Sequence, residues 1–100
     1  MNTREVVAIT GSNRGLGRAL ALAFAAEGAH LVLHARTSGA LLEVAEDAKL
    51  AGATSVTFVT GDLLEQDLGE RLAQAGRQNH GRVDTLILNA AMLGPMSPLI

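Results

Sequence analysis

The residues of this chain that are best suited to chemistry form one short glycine-rich run, Thr-Gly-Ser-Asn-Arg-Gly-Leu-Gly at positions 10–17. The run follows an apolar stretch at 6–9 and leads into a second apolar stretch at 16–26. A glycine-rich turn between a buried strand and a helix exposes backbone N–H groups, and the amino end of a helix carries partial positive charge. The run is therefore typical of a phosphate site, and it indicates a nucleotide ligand.

The spacing of the glycines separates this run from two common phosphate-binding motifs. Gly11, Gly15 and Gly17 form the pattern Gly-x-x-x-Gly-x-Gly rather than Gly-x-Gly-x-x-Gly, and no Gly-Lys-Ser/Thr sequence is present. We expect Gly11 to permit a tight turn, Gly15 to let the backbone approach a pyrophosphate, and Gly17 to let the helix pack closely on the sheet. The alternative is an ordinary strand-to-helix turn with no ligand.

The elements that position this run follow from the hydrophobic pattern. Short apolar runs predict strands at 6–10, 31–36, 55–59 and 85–88. Apolar residues at helical spacing predict three helices between them, beginning near positions 16, 41 and 68. We expect Gly28 and Gly52 to end the first two helices, and Ser38 to cap the start of the second. The third helix is expected to fray over the polar stretch 76–81.

The alternation of continuous apolar strands with amphipathic helices is typical of a parallel sheet that is covered on both faces. With right-handed crossovers, the order β-α-β-α-β-α-β predicts an α/β fold, a Rossmann-type doubly wound parallel sheet with strand order 3-2-1-4. We expect residues 1–100 to form a dinucleotide-binding half-domain. Because Pro95 and Pro98 precede a terminal apolar pair, we also expect this half to be the N-terminal part of a longer single domain.

The composition argues against several other classes of protein and site. The chain has 100 residues, 48% of them hydrophobic, and a formal net charge of −2, which fits a globular domain and no nucleic-acid partner. It has no cysteine, so disulfides and thiolate metal sites are excluded. His30, His34 and His80 lack metal-ligand spacing, so we expect structural or solvated roles and no metal. Without a signal peptide or a membrane-length apolar run, we expect a cytoplasmic location and no membrane partner.

Three motifs, taken in order, resemble the short-chain dehydrogenase/reductase family. They are Thr-Gly-x-x-x-Gly-x-Gly at 10–17, Asp62-Leu63 just beyond the third strand, and Asn89-Ala90-Ala91 after the fourth. Leu88 and Ala91 depart from the family's Asn-Asn-Ala-Gly motif, because they replace its first Asn and its Gly. The resemblance covers essentially the whole chain and implies that these segments bind a nicotinamide dinucleotide. The expected cofactor-binding residues are Gly11, Ser12, Asn13, Arg14, Gly15, Leu16, Gly17, Arg36, Asp62, Leu63, Asn89, Ala90 and Ala91.

Two of these residues have a second interpretation. The resemblance makes Asp62 an adenine contact, but an Asp that follows a strand often caps the next turn, and both roles can hold together. Asn89 either contacts the cofactor or holds the end of the fourth strand against its neighbour.

The choice of dinucleotide depends on the residues that follow the second strand. NAD-binding folds place an acidic residue there to bind the ribose 2′-hydroxyl, whereas an Arg suits the 2′-phosphate of NADP. Residues 31–39 contain no Asp or Glu, and Arg36 lies in that segment. Arg14, in the glycine-rich run, adds a second cation. These residues predict NADP(H) rather than NAD(H); the alternative is that both arginines are solvated surface charges.

The side chains that the family uses for catalysis are not found in this sequence. The resemblance implies a Tyr-x-x-x-Lys pair with an upstream Ser, in which the Lys ammonium stabilises the Tyr phenolate. The chain has no tyrosine, and its one lysine, Lys49, lies in the second predicted helix. We therefore expect the catalytic residues to lie C-terminal to this chain and the isolated chain to be inactive. We also expect the apolar stretch 86–88 to be an open edge that promotes association.

Two functions remain open at this point. The first is that the parent protein is an NADP(H)-dependent oxidoreductase of the short-chain type, a homo-oligomer that acts on carbonyl or alcohol groups of small-molecule substrates by hydride transfer. In that hypothesis this chain supplies cofactor binding. The alternative is a non-catalytic dinucleotide-binding or interaction module, which the missing tyrosine favours only if the coding sequence ends at Ile100.

Overall fold

The chain alternates strands and helices in the order that the hydrophobic pattern predicts. A computed structural model describes residues 4–89. A short 3-10 turn, Gly39–Leu41, precedes the second helix. The elements are β1 (Val6–Ile9), α1 (Gly15–Ala26), β2 (His30–Ala35), α2 (Leu42–Ala51), β3 (Ser55–Thr60), α3 (Leu68–His80) and β4 (Thr85–Ile87).

The four strands form one parallel sheet in the order β3-β2-β1-β4, which confirms the predicted Rossmann-type topology. In the register of the sheet, Ile9 is the partner of Leu33 in β2 and of Ile87 in β4. The carboxyl ends of these strands therefore lie side by side. The loops that follow them meet at this edge, which is where open α/β sheets bind their ligands.

The core lies on both faces of the sheet, with alternate strand residues directed to opposite sides. On one face, Ile9 and Leu33 belong to a buried cluster that includes apolar side chains of α1 and α2. On the other face, Ala8 and Val32 pack against Leu68 and Leu72 of α3. Burial on both faces explains why the strands are apolar without a break.

Two details of the predicted helices are wrong. Ser38 makes no capping hydrogen bond through its side chain, and α2 begins only after the 3-10 turn, where the Thr37 hydroxyl accepts a bond from the Ala40 N–H. The third helix does not fray over 76–81 but continues to His80. Close packing of Gly76 against Val83 holds its last turns, since a Cβ on Gly76 would lie 2.3 Å from Val83 Cγ2.

The glycines that end the helices behave as predicted. Gly28 and Gly52 follow α1 and α2 with φ values of 84° and 126°, a backbone conformation that favours glycine. In the described part of the chain, the helices are all too short or too polar to cross a membrane. Two leucines in and after β4 are partly solvent-exposed, with exposed fractions of 40% for Leu86 and 66% for Leu88.

Candidate functional site

A cleft of about 540 Å³ opens beside the carboxyl ends of β1 and β2. Its volume lies in the range of about 300–1,000 Å³ that is usual for small-molecule sites. Its walls come from the glycine-rich run, the end of β2 and the segment after β3, so the fold brings together three separate parts of the sequence. The lining residues are Gly11, Asn13, Arg14, His34, Ala35, Arg36, Ala40, Asp62, Leu63 and Leu64.

The glycine-rich run has the backbone that its spacing predicts. Gly11 and Gly15 have φ values of 58° and 62°, in the left-handed region where other residues are strained. Gly17 allows the helix to approach the loop closely, because a Cβ there would lie 2.2 Å from the Gly11 carbonyl oxygen. At Gly15, by contrast, the position that a Cβ would take has no described atom within 4 Å apart from those of Gly15, its two chain neighbours and the nearby helix backbone. The run therefore packs tightly at Gly17 and leaves space at Gly15.

The amino end of α1 is suited to bind an anion. The helix begins at Gly15, and the first N–H groups of any helix lack acceptors within the helix. Arg14, which precedes it, has extended backbone and makes no capping hydrogen bond through its side chain, and the first turn contains no acidic residue. The N–H groups and the helix dipole therefore favour a negatively charged group at this point.

Two arginines line the cleft from different segments. Arg14 lies in the glycine-rich run and Arg36 follows β2, and both are exposed. Within residues 4–89, the ion pairs involve other arginines, and neither of these two guanidinium groups has an acidic partner. The cleft thus presents two arginines without an ion pair among residues 4–89, and the segment 31–39 supplies no carboxylate.

Asp62 lies on the opposite wall of the cleft and takes part in the turn after β3. Its Oδ1 accepts a hydrogen bond of 2.9 Å from the Leu64 N–H. The turn-capping interpretation of Asp62 is therefore present in the structure. The side chain is also exposed on the cleft wall beside Leu63, so a ligand contact is compatible with the same geometry.

Asn89 holds the end of β4 against the end of β1. Its backbone N–H donates to the Thr10 hydroxyl at 2.7 Å, and its side-chain Nδ2 donates to the Gly11 carbonyl oxygen at 3.3 Å. The strand-holding role expected for Asn89 is therefore present, while a cofactor contact stays a prediction. Ala90 and Ala91, which follow it in the motif, lie outside the described residues.

The other predicted residues of the run, Ser12, Gly15, Leu16 and Gly17, do not line the cleft. The Ser12 side chain is buried against β2, where its hydroxyl donates to the His34 carbonyl oxygen and accepts from the His34 N–H. Leu16 is 60% exposed on the first turn of α1, away from the cleft lining. Gly17 lies behind Gly11 and shapes the loop rather than the surface of the cleft.

Four lining residues were not predicted as part of the site: His34, Ala35, Ala40 and Leu64. His34 is the one among them with a polar side chain. Its side chain is only 1% exposed, and both ring nitrogens are hydrogen-bonded. The lack of metal-ligand spacing predicts a structural or solvated role for it. The one signal for a role at the site was a histidine that follows three apolar residues of a predicted strand and lies two residues before Arg36.

Comparisons with known proteins agree with this geometry. A family model described as short chain dehydrogenase matches residues 5–99. An uncharacterized oxidoreductase from Listeria monocytogenes is 35% identical over 95% of this chain and 38% of its own length. The 11-beta-hydroxysteroid dehydrogenase 1A of Arabidopsis thaliana is 40% identical over 88% of this chain and 25% of its own length.

A solved structure resembles the described fold as well. L-sorbose reductase from Gluconobacter frateurii, in complex with NADPH and L-sorbose, has a TM-score of 0.78 and is 36% identical. The match covers 88% of this chain and 34% of the reductase. The chain therefore spans well under half the length of these three relatives.

Proposed function

Because this chain belongs to the short-chain dehydrogenase family, we propose that residues 1–100 are the dinucleotide-binding half of an NADP(H)-dependent oxidoreductase. The observation that carries this proposal is the cleft itself. It is lined by Arg14, the residue that directly precedes the uncapped amino end of α1, and by Arg36, and neither arginine has an acidic partner in the described residues. A dinucleotide with an additional phosphate matches that arrangement of charge.

We assign the parts of the cofactor to the walls of the cleft. The pyrophosphate lies at the amino end of α1, where the space at Gly15 lets it reach the backbone. The adenine lies between the end of β2 and the segment that carries Asp62 and Leu63. The Asp62 carboxylate has a second oxygen for the adenine amino group while Oδ1 stays bonded to the Leu64 N–H. The roles of Asn89, Ala90 and Ala91 as cofactor contacts remain part of this proposal.

The preference for NADP(H) rests on Arg36 and Arg14. A guanidinium presents a planar set of donors that suits a phosphate, and no carboxylate follows β2 to bind a ribose 2′-hydroxyl instead. The solved relative that contains NADPH supports the same choice. A charge-assisted hydrogen bond to a phosphate contributes about 1.5–3 kcal/mol, or roughly ten- to hundredfold in affinity.

The reaction that we propose is carbonyl reduction or alcohol oxidation on a small-molecule substrate. When bound, a nicotinamide cofactor supplies or accepts the hydride. The residues of the cleft bind and orient this cofactor. The tyrosine that the family resemblance implies as the proton donor is not among these 100 residues. A second candidate function is a dinucleotide-binding module without catalysis. The cytoplasmic location and the homo-oligomeric state stay predictions.

Calorimetric titration of NADP(H) and NAD(H) tests the cofactor assignment in the protein expressed from its complete gene. We expect NADP(H) to bind at least about tenfold more tightly, and Arg36→Ala to weaken NADP(H) by about that factor while NAD(H) stays within about twofold. Arg77→Ala is the matched control, because that arginine pairs with Glu70 on α3 and does not line the cleft. Equal affinities for the two cofactors, or an unchanged preference in Arg36→Ala, would contradict the assignment.

A turnover assay separates the two candidate functions. The oxidation of NADPH is followed in the presence of a panel of ketones and aldehydes. Turnover supports the oxidoreductase, whereas tight binding of NADP(H) without turnover on any carbonyl compound favours the binding module.

A further inference from the structure

The histidine in the wall of the cleft occupies an unusual position for a polar ring. His34 lies near the carboxyl end of β2, on the same face as Val32, which packs against α3. It is 1% exposed, so its polar atoms depend on protein partners rather than on water. An imidazole buried among the apolar residues at the carboxyl end of β2 therefore needs a specific reason.

The hydrogen bonds of His34 define one neutral tautomer. The Gly11 N–H donates to Nδ1 at 2.9 Å, so Nδ1 must carry a lone pair. Nε2 lies 2.8 Å from the Gly61 carbonyl oxygen, which can only accept, so Nε2 must carry the proton. With both nitrogens used, the ring has one orientation that satisfies it.

These two bonds join the two loops that form opposite walls of the cleft. Gly11 is the first glycine of the glycine-rich run, and Gly61 immediately precedes Asp62. The backbone of His34 adds a second connection to the run, because its carbonyl oxygen accepts a hydrogen bond of 2.9 Å from the Ser12 N–H. One residue of β2 therefore holds both walls at a fixed separation.

The same bonds restrict which donors a phosphate can use. The N–H groups of Gly11 and Ser12 are both directed to His34. A bound pyrophosphate is therefore left with the N–H groups that follow Ser12 in the run and at the start of α1. The position of these groups depends on the anchor that His34 provides for the beginning of the loop.

We propose that His34 is a positioning residue for dinucleotide binding, an inference that rests on the proposed function. It sets the distance between the pyrophosphate loop and the segment that carries Asp62. Its neutral ring does so with no need to contact the cofactor. The adenosine half of the cofactor bridges these two walls, so its affinity is the property that His34 controls.

Three substitutions separate the two bonds of the ring. His34→Asn keeps an acceptor at the δ position for the Gly11 N–H, and His34→Gln keeps a donor at the ε position for the Gly61 carbonyl oxygen. His34→Val removes both in a residue that suits a strand. His80→Asn is the control, because that ring stacks on His30 at the amino end of β2, with 4.2 Å between ring centroids.

The binding of 2′,5′-ADP and of NADPH is measured by calorimetry in the protein expressed from its complete gene, well below the melting midpoint of each variant. We expect His34→Val to raise both dissociation constants roughly tenfold, and His34→Asn and His34→Gln each to recover part of that loss. His80→Asn should bind like the wild type. A purely structural histidine would lower the melting midpoint without changing the affinity of the folded protein.

The possible results distinguish this inference from the proposed function. If the wild type binds 2′,5′-ADP and NADPH and all folded His34 variants bind them equally well, the positioning role is overturned and the proposed function stands. If His34→Val does not fold, then wild-type affinity in both His34→Asn and His34→Gln overturns the positioning role and leaves the proposed function standing. If the wild type binds neither ligand, the proposed function fails, and the role of His34 fails with it.

Discussion

Replacing Gly17 with alanine has opposite expected effects according to whether the local sequence or the tertiary structure is considered. Gly17 is the third residue of α1, and within a helix Ala is more favourable than Gly by about 1 kcal/mol. In the structure, an added Cβ would lie 2.2 Å from the Gly11 carbonyl oxygen and 2.7 Å from Asn89 Nδ2. Ordinary contacts between such atoms are about 3.5–4.0 Å, so at least one backbone segment must move by more than about 1 Å.

The size of the destabilisation by Gly17→Ala depends on which atoms must move to make room for the added Cβ. Overpacking of this kind typically costs about 1–3 kcal/mol, and here the upper part of that range applies because the obstacle is backbone rather than the end of a flexible side chain. The hydrogen bond from Asn89 Nδ2 to the Gly11 carbonyl oxygen is also displaced, which removes about 1 kcal/mol. After the gain in helix propensity is subtracted, we expect Gly17→Ala to lower the free energy of unfolding by about 2 kcal/mol.

Urea unfolding of two further alanine variants provides the controls. Gly69 lies in the first turn of α3, where no described atom is within 4 Å of an added Cβ, so Gly69→Ala should stabilise by about 0.5–1 kcal/mol. Gly15 also has open space but has φ of 62°, so Gly15→Ala should cost about 1–2 kcal/mol. Its methyl group faces the proposed pyrophosphate site, so it should also weaken NADP(H) binding.

The outcome that would refute this reasoning is simple to recognise. If Gly17→Ala unfolds at a higher urea concentration than the wild type, as Gly69→Ala should, local helix propensity governs that position. The close approach of α1 to the loop would then be unimportant, and the explanation given for the third glycine of the run would be wrong.

Two further predictions concern stability. Burial, and after it the neighbouring charges, with His80 first among them, lower the pKa of His30 below its ordinary 6.5. The folded state therefore favours neutral His30. Its contribution to the free energy of unfolding is complete above pH 6.5 and is lost as the pH falls through 6.5 toward the lowered pKa. Urea unfolding should show this loss of stability, and His30→Asn should make it smaller. The ion pair between Arg18 of α1 and Asp47 of α2 is partly exposed, so a double-mutant cycle should give a coupling of less than about 1 kcal/mol; a larger value would mean that this pair governs how the two helices dock.

Local sequence patterns predicted the elements well where one signal acted alone. Unbroken apolar strands between amphipathic helices determined a parallel sheet, because only burial on both faces favours such strands. The errors occurred where a local signal met a tertiary contact. The polar stretch after Ala75 suggested fraying, yet Gly76 packs against Val83 and the helix continues to His80. Serine is a residue type that often caps a helix, but at Ser38 the chain forms a 3-10 turn in which Thr37 supplies the side-chain hydrogen bond.

The sequence by itself determined the parallel sheet, the strand order, the turn glycines and the two arginines of the cleft. These properties depend on local backbone preference and on burial, and both are visible as composition and period. Only the tertiary structure decided which atoms the site residues bond. The Ser12 hydroxyl bonds β2, Asn89 joins β4 to β1, and His34 joins Gly11 to Gly61. Such partners are distant in sequence and are brought within hydrogen-bond range by the register of the strands, which no local pattern specifies.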